Sequence, residues 1–449
     1  MNRGKLSIIT CKSGEPFARR IETHLKKLIN DYVINNQHEF TRAKRERIKN
    51  FWIKSEETHF ANKEIKTVIN QNIRGDDVYI IQCMDDPLCR QHSINDNLMA
   101  LLTAVNAAYQ SDAEHVTAVI PQFPYSRQDR KKGRECLTGK QVANFMEISG
   151  ARRVITLDIH SEAIESFFNK TRLENLHASG VIIDYFQQIH NLENFVVVSP
   201  DAGGTHQARF YSRNLGRFKI SKTTLDKLKH GDFCFTNENL KFLESMLDIE
   251  FKNKVEFEQE LDKFDISKEE NVKFLESMFG TKFKECLGKY NFSKDEKQRI
   301  IKYSRIVDID FAIVDKERNY DSPGKIESMR LIGNVANKDV LIVDDMIATG
   351  GTLINAVKLL KKHEAKDIYI ACSLPFFNGD AIKKIDKIYQ EGYIKKIIGT
   401  DAVFWGENFT NEHQWYEEVS VARLFAKVIF NINMKESVSN LLKYGDTEI

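Results

Sequence analysis

The chain has 449 residues, enough for two or three domains with full cores, and its 42% apolar and 29% charged residues describe an ordinary soluble protein. A formal charge of +2 leaves no basic footprint for nucleic acid, and no apolar run approaches the length of a membrane span. Seven scattered cysteines, with no Cys-x-x-Cys pair and nothing completing a zinc set around Cys83 and Cys89, suit reduced thiols and a cytoplasmic location.

The opening residues read as a strand near 6–10, not as a signal peptide. A Gly14/Pro16 turn leads into a helix from about Phe17, and the charged stretch 39–54 predicts a surface helix. Phe60-Ala61-Asn62-Lys63-Glu64 is a loop before an alternating strand at Ile65, Thr67 and Ile69. Arg74-Gly75-Asp76-Asp77 predicts a turn, followed by a buried strand at 78–82. Leu98, Leu101, Leu102, Val105 and Tyr109 mark an amphipathic helix, and a strand at 116–120 is stopped by Pro121 and Pro124. Next come a helix over 138–149, a strand over 154–157 ending at Asp158 and His160, and a helix over 179–190. A strand at 195–199 then runs into Pro200-Asp201-Ala202-Gly203-Gly204-Thr205. Much later, 311–314 leads into Asp315-Lys316-Glu317-Arg318; strands at 340–343 and 368–371 complete the set, and a helix at 419–432 closes the chain.

Strands alternating with helices predict an α/β protein of doubly wound domains with mainly parallel sheets, whose ligands bind at the carboxyl ends of the strands. The polar clusters named above all fall at such ends. One segment, about 217–306, breaks the rhythm. It carries nineteen Lys/Arg against seventeen Asp/Glu, so it is near neutral, and eleven phenylalanines, which argues against disorder. Lys-Phe-Leu-Glu-Ser-Met occurs there twice, at 241–246 and 273–278, and apolar residues recur at helical spacing. The segment reads as a helical insertion whose role is not legible.

The stretch 340–353 organises the rest. A short aliphatic run ends in Asp344 and Asp345, a turn of small residues follows (Ala348, Thr349, Gly350, Gly351, Thr352), and Leu353, Ala356, Val357 and Leu360 begin a helix. Paired glycines and a helix N-terminus suit a phosphate, while adjacent carboxylates suit ribose hydroxyls or Mg²⁺ beside them. The stretch is therefore expected to hold a phosphorylated sugar. It resembles the PRPP-binding loop of the type I phosphoribosyltransferase fold, in the wording Asp-Asp-Met-Ile typical of ribose-phosphate pyrophosphokinases (PRPP synthetases). Ala348 departs from the acidic residue many family members carry there.

Other clusters extend the resemblance. Pro124-Tyr125-Ser126-Arg127-Gln128-Asp129-Arg130-Lys131 packs cations beside Pro and Tyr, which suits either a nucleotide or a plain solvated loop. The family carries nearly this wording at its ATP site, which makes Arg127 and Gln128 ATP contacts. Asn62 and Glu64 match the family's adenine-reading segment, commonly shared across a subunit interface, with Lys63 where glycine is usual. Asp158-Ile159-His160 with Phe167-Phe168 resembles the family's Asp-Leu-His segment, implying that His160 is a Mg²⁺ ligand or ATP-phosphate contact. Asp201, at another small-residue turn, is the natural oxygen ligand for Mg²⁺. Lys316 and Arg318 match the family's catalytic loop, and 319–330, polar with Pro323-Gly324, read as a closing lid.

The resemblance covers almost everything outside 217–306. It implies an N-terminal phosphoribosyltransferase-like domain over 1–180, completed by 429–449, and a second over 181–428 that carries the insertion. It also implies Mg²⁺-dependent transfer of the β,γ-diphosphoryl group of ATP to the 1-hydroxyl of ribose 5-phosphate, in a homo-oligomer (dimer or hexamer). No Gly-x-x-x-x-Gly-Lys-Ser/Thr is present, so this is not a P-loop kinase. Two alternatives stand beside this reading: a non-catalytic relative acting as a regulatory subunit, and a PRPP-consuming phosphoribosyltransferase.

Overall fold

The structure, a computed structural model, describes residues 3–35, 50–131, 133–189, 192, 194–215, 309–318 and 326–442; at 189, 316–318 and 326–328 it describes the backbone only. The chain divides into a main unit (Met1–Ile189, Phe195–Tyr211, Phe311–Ile449) and a second unit (His190–Asn194, Ser212–Asp310). The expected insertion and its two related segments lie outside the described residues.

Two sheets carry the main unit. In the first, β1 (Leu6–Thr10), β4 (Asp77–Ile81), β5 (His115–Val119), β6 (Arg153–Leu157) and β7 (Arg172–Leu176) lie side by side in that order, all parallel. Alternate residues of a strand face opposite sides. Val78, Ile80, Val116, Ala118 and Val154 accordingly pack against Leu101 and Val105 of α2 (Ile94–Gln110) and Val142 and Met146 of α3 (Thr138–Ser149). The other face carries Asp77, to which Asn433 donates at 3.0 Å from α9 (Ala422–Met434). That helix packs on α1 (Glu15–Asn35), where Phe17 meets Phe425 edge-on at 5.2 Å. A capping box starts α2: Ser93 accepts from the Asp96 N–H while Asp96 accepts from the Ser93 N–H.

The second sheet has the order β10-β9-β8-β11-β12-β13-β14. Its strands β8 (Phe195–Ser199), β11 (Asp339–Met346), β12 (Ile368–Leu374), β13 (Lys396–Thr400) and β14 (Tyr416–Val419) are parallel. At one edge β9 (Asp310–Arg318) and β10 (Ile326–Ile332) pair antiparallel. Val340, Ile342, Ile370 and Ile397 form a core with Leu353, Ala356, Val357 and Leu360 of α6 (Gly351–Lys362) and with Ala381 and Ile385 of α7 (Ala381–Gln390). Three further helices follow strand ends: α4 (Ser179–Ile189), α5 (Thr205–Leu215) and the short α8 (Phe409–Glu412). The architecture is the expected α/β class, with two doubly wound layers.

Several local expectations fail. Of the helix expected over 39–54, residues 36–49 are outside the description. Residues 51–53 are extended instead, held by N–H bonds from Ile8 to Phe51 (2.7 Å) and from Ile53 to Ile8 (2.9 Å). Strand β2 (Ser55–His59) has no counterpart among the expected elements; it pairs antiparallel with β3 (Ile65–Ile69), and the Phe60–Glu64 loop is the tip of that hairpin. The charged run Asp315-Lys316-Glu317-Arg318 is the continuation of β9, not a loop after it, and Lys316 and Met329 stand opposite each other. Residues 326–330, expected within a lid, belong to β10; 319–325 are outside the description. Val419 ends β14 and does not start the last helix. Among the described residues no helix is long and apolar enough to cross a membrane.

Candidate functional site

Strand β11 delivers the residues expected on the sugar side. Its aliphatic half is buried between β8 and β12, so the pair Asp344-Asp345 emerges at the carboxyl end, partly exposed. Burial pushes the Asp344 carboxyl well above the ordinary carboxylate range, with the charges of Asp345 and Asp201 adding to it. Three acids from two strand ends therefore share one electrostatic neighbourhood.

The turn after β11 is braced from behind. Ile347 donates to Leu374 O (3.1 Å), Phe377 donates to Ile347 O (3.0 Å), and Asn378 donates to Ala348 O (2.9 Å). Gly350 has φ +73°, a left-handed conformation that glycine alone adopts without strain, and α6 starts at the next residue. A Cβ placed on Gly351 would meet nothing within 4 Å. Thr349 and Gly351 are exposed, so the turn offers an open mouth at a helix N-terminus.

The residues expected on the nucleotide side meet this edge. His160 Nδ1 lies 2.7 Å from Asp345 Oδ2. That hydrogen bond raises the His160 pKa, against burial and the nearby Arg127 charge. Arg127 Nε lies 2.9 Å from Met346 Sδ. Gln128 is exposed; its N–H donates to Tyr125 O (2.9 Å), and its carbonyl accepts from Gly139 at the start of α3 (3.2 Å). Burial opposes ionisation of Asp129, but its bond from Ser161, its own backbone and Arg130 hold the carboxyl below its ordinary range. Asp201 Oδ1 accepts the Gly204 N–H at 3.1 Å, closing the second small-residue turn.

Arg127, His160, Asp344, Asp345 and Asp201 are thus gathered, and the 349–352 turn follows Asp345 after Met346, Ile347 and Ala348. Asn62 and Glu64 sit elsewhere, at the tip of the β2–β3 hairpin, where the Glu64 N–H donates to Asn62 Oδ1 (3.2 Å). Lys63 there has φ +72°, so the chain holds a left-handed turn without glycine's freedom. Lys316 and Arg318 lie on β9. Asp158 carries no mark in the sequence beyond its place in the Asp158-Ile159-His160 motif. It is 4% exposed, and its carboxylate accepts from Ala178 N–H (3.0 Å) and from Ser373 Oγ (2.5 Å) and pairs with His177 Nδ1 (2.8 Å). Gln122 is likewise unmarked; it donates to Ala402 O from a fully buried position.

A parallel sheet whose central strand ends in paired acids and turns through a left-handed glycine into a helix defines a phosphoribosyltransferase-type protein. The family model for the N-terminal domain of ribose phosphate pyrophosphokinase matches residues 6–150, and that for the phosphoribosyl transferase domain matches residues 299–408. Ribose-phosphate pyrophosphokinase 1 of Listeria monocytogenes is 30% identical over 394 residues, covering 87% of this chain and 89% of that protein. Ribose-phosphate pyrophosphokinase 1 of Streptococcus pyogenes is 28% identical over 396 residues, covering 88% and 91%. The crystal structure of phosphoribosylpyrophosphate synthetase from Mycobacterium smegmatis superposes with a TM-score of 0.61 at 21% identity, covering 96% of this chain and 99% of the other, which shows a shared fold. The chain belongs to the ribose-phosphate pyrophosphokinase family.

Proposed function

We propose that the chain carries out its family's reaction: Mg²⁺-dependent transfer of the β,γ-diphosphoryl group of ATP to the 1-hydroxyl of ribose 5-phosphate, giving PRPP and AMP. The observation that supports this most is the 2.7 Å contact between His160 and Asp345. It puts a residue expected at the nucleotide phosphates against one expected at the sugar hydroxyls.

In this reading Asp344 and Asp345 hold the ribose hydroxyls, and Ala348, Thr349, Gly350, Gly351 and Thr352 hold the 5-phosphate through backbone N–H groups and hydroxyls. Arg127 and Gln128 hold the ATP phosphates. Lys316 and Arg318 neutralise the transferring group, the larger share of catalysis when alignment and charge decide the rate. Among the described residues no three of His, Cys, Asp and Glu converge closely enough to hold an ion alone. Mg²⁺ characteristically takes one or two carboxylates and completes its shell with phosphates and waters. The Asp344 carboxyl, raised by burial and then by the charges of Asp345 and Asp201, fits such a cation. His160 and Asp201 would hold Mg²⁺, which when bound neutralises phosphate charge and polarises the phosphoryl oxygens.

Assembly belongs to the same proposal. Asn62 and Glu64 stand on a hairpin tip whose Phe60 is 46% exposed, which suits reading the adenine of a neighbouring subunit in a dimer or hexamer. A cytoplasmic location and the division of the chain near residue 180 are also proposals. The second, with 429–449 completing the first domain, is supported by the bond from Asn433 to Asp77 of the first sheet.

Incubation with ATP, Mg²⁺ and ribose 5-phosphate, with AMP and PRPP as the readout, tests the proposal. Binding of both ligands without AMP would favour the regulatory subunit, to which the small side chain of Ala348 lends some support. Consumption of PRPP with a base would favour a phosphoribosyltransferase.

A further inference from the structure

Asp158 pays a backbone cost for its place. It has φ +37°, a left-handed conformation uncommon for a residue with a side chain, directly after β6. Strained residues persist where their surroundings over-determine them, and the surroundings here do so. The Asp158 N–H donates to Leu176 O at 2.8 Å, and the next N–H, of Ile159, is taken by Asn175 Oδ1 at 3.1 Å. The carboxylate accepts from Ala178 N–H and contacts His177, both between β7 and α4. Its remaining bond leaves the first sheet altogether and comes from Ser373 of β12.

That last bond closes a circuit. The carbonyl of Ser373 accepts from Thr400 Oγ1 (2.6 Å), the same Oγ1 accepts the Ala402 N–H (3.2 Å), and the Ala402 carbonyl accepts from Gln122, just past β5. The first sheet is thus stitched to the second at two neighbouring strand ends, through side chains that are all buried: Asp158, Ser373, Thr400 and Gln122. Strand register ties this seam to the site. Asp344 of β11 pairs with Cys372 of β12, so Ser373 stands beside Asp345, just as Asp158 stands two residues before His160. The Asp158–Ser373 and His160–Asp345 contacts run side by side across the same seam.

We infer that Asp158 is a positioning residue of this site: by clamping the end of β6 to Ser373 it holds His160 in register with Asp345, and so fixes the nucleotide-side groups over the sugar-side groups. It touches neither substrate. The inference rests on the functional reading above for what the alignment serves, and on geometry alone for the clamp itself. A buried carboxylate bonded on both sides sets a spacing that a flexible hinge would not, and misplacements of about 1 Å between reacting groups cost on the order of a hundredfold in rate.

Ser373→Ala is the decisive variant, because it removes the seam bond and leaves Asp158 its partners within the first sheet. Turnover is expected to fall roughly tenfold or more, with KM for ATP and for ribose 5-phosphate within about twofold of the parent. Asp158→Asn, which keeps an acceptor oxygen, is expected to lose less, and the double variant to be no worse than the more damaged single one. A second readout does not depend on turnover. In ¹⁵N-histidine spectra, assigned with a His160→Gln control, the His160 ring signals of Ser373→Ala should move from a hydrogen-bonded pattern toward that of free imidazole. Unchanged turnover together with an unchanged His160 signal would overturn the inference, as would a loss that merely tracks a lowered Tm and raises both KM values. If the parent makes no AMP, the proposed reaction fails and the His160 spectrum alone decides the clamp.

Discussion

Arg20 of α1 reaches Asp401, just past β13, with Nη1 3.0 Å from a carboxylate whose side chain is fully buried. The same guanidinium bonds to Glu418, lies 3.0 Å from Glu407 and covers the ring of Phe404 at 4.3 Å. Burial raises the Asp401 pKa, while bonds from Ser420, Val421 N–H and Arg20 pull it back. Arg20→Ala leaves that charge buried with less compensation, which typically costs about 3 kcal/mol when one member of a buried pair is removed. A group whose folded pKa lies above its unfolded value stabilises fully below the unfolded pKa, and that stability is lost as pH rises through the folded value. Removing Arg20 raises the folded value further. The Tm deficit of Arg20→Ala should therefore be larger at pH 8 than at pH 4, as thermal unfolding across that range would measure.

Two adjacent glycines should part company on substitution. Gly350→Ala forces a Cβ into a left-handed residue, costing about 1 kcal/mol, although the space itself is free, with Ile354 Cδ1 3.8 Å away. Gly351→Ala meets no neighbour and needs no positive φ, so its Tm should match the parent. Its methyl would nevertheless stand in the mouth of the turn and should raise KM for ribose 5-phosphate. Tm and KM measured on both variants check the contrast.

Glu147 gathers three consecutive N–H groups on Oε1: those of Lys170 (2.6 Å), Asn169 (2.8 Å) and Thr171 (2.8 Å). Burial works to raise its pKa, but these bonds outweigh it and hold the carboxyl below its ordinary range. A depressed carboxylate contributes stability above its unfolded pKa and loses it as pH falls through the folded value. Glu147→Gln should lower Tm at pH 7, and the difference should vanish on the acid side of the folded value. A pH series of melts decides it.

Lys316→Ala should reduce turnover by orders of magnitude while ATP affinity stays near that of the parent, because charge neutralisation of a transferring group acts mainly in the transition state. Quenched AMP assays and nucleotide titration separate the two quantities. A large loss of ATP binding would make Lys316 a ground-state contact.

The turn after β11 is readable because its information is contiguous: aliphatic strand, paired acids, small-residue turn and amphipathic helix come one after another along the chain. Strands β2, β7, β13 and β14, none of them among the expected elements, are not. Ser-Glu-Glu-Thr-His has no apolar face, and Tyr-Glu-Glu-Val is a four-residue edge strand whose middle is half exposed. The extension of β9 to Arg318 depends on β10 pairing with it, which polar residues near Pro323-Gly324 do not announce. Asp158 is invisible for another reason. Ser373 lies 215 positions away, and no local periodicity encodes a bond at that separation. The left-handed φ of Lys63 is similarly unmarked, because the usual signal for such a turn is the glycine that this chain lacks.

The packing of α9 on α1 also bears on synthesis. A ribosome releases α1 before both sheets and α9 only after them, so the flank of the first sheet waits for its cover until both sheets have been translated. A fragment ending before residue 422 would leave Phe17 without Phe425 and Asp77 without Asn433. Until α9 is made, Phe17 therefore lacks the cover that Phe425 gives it in the folded chain.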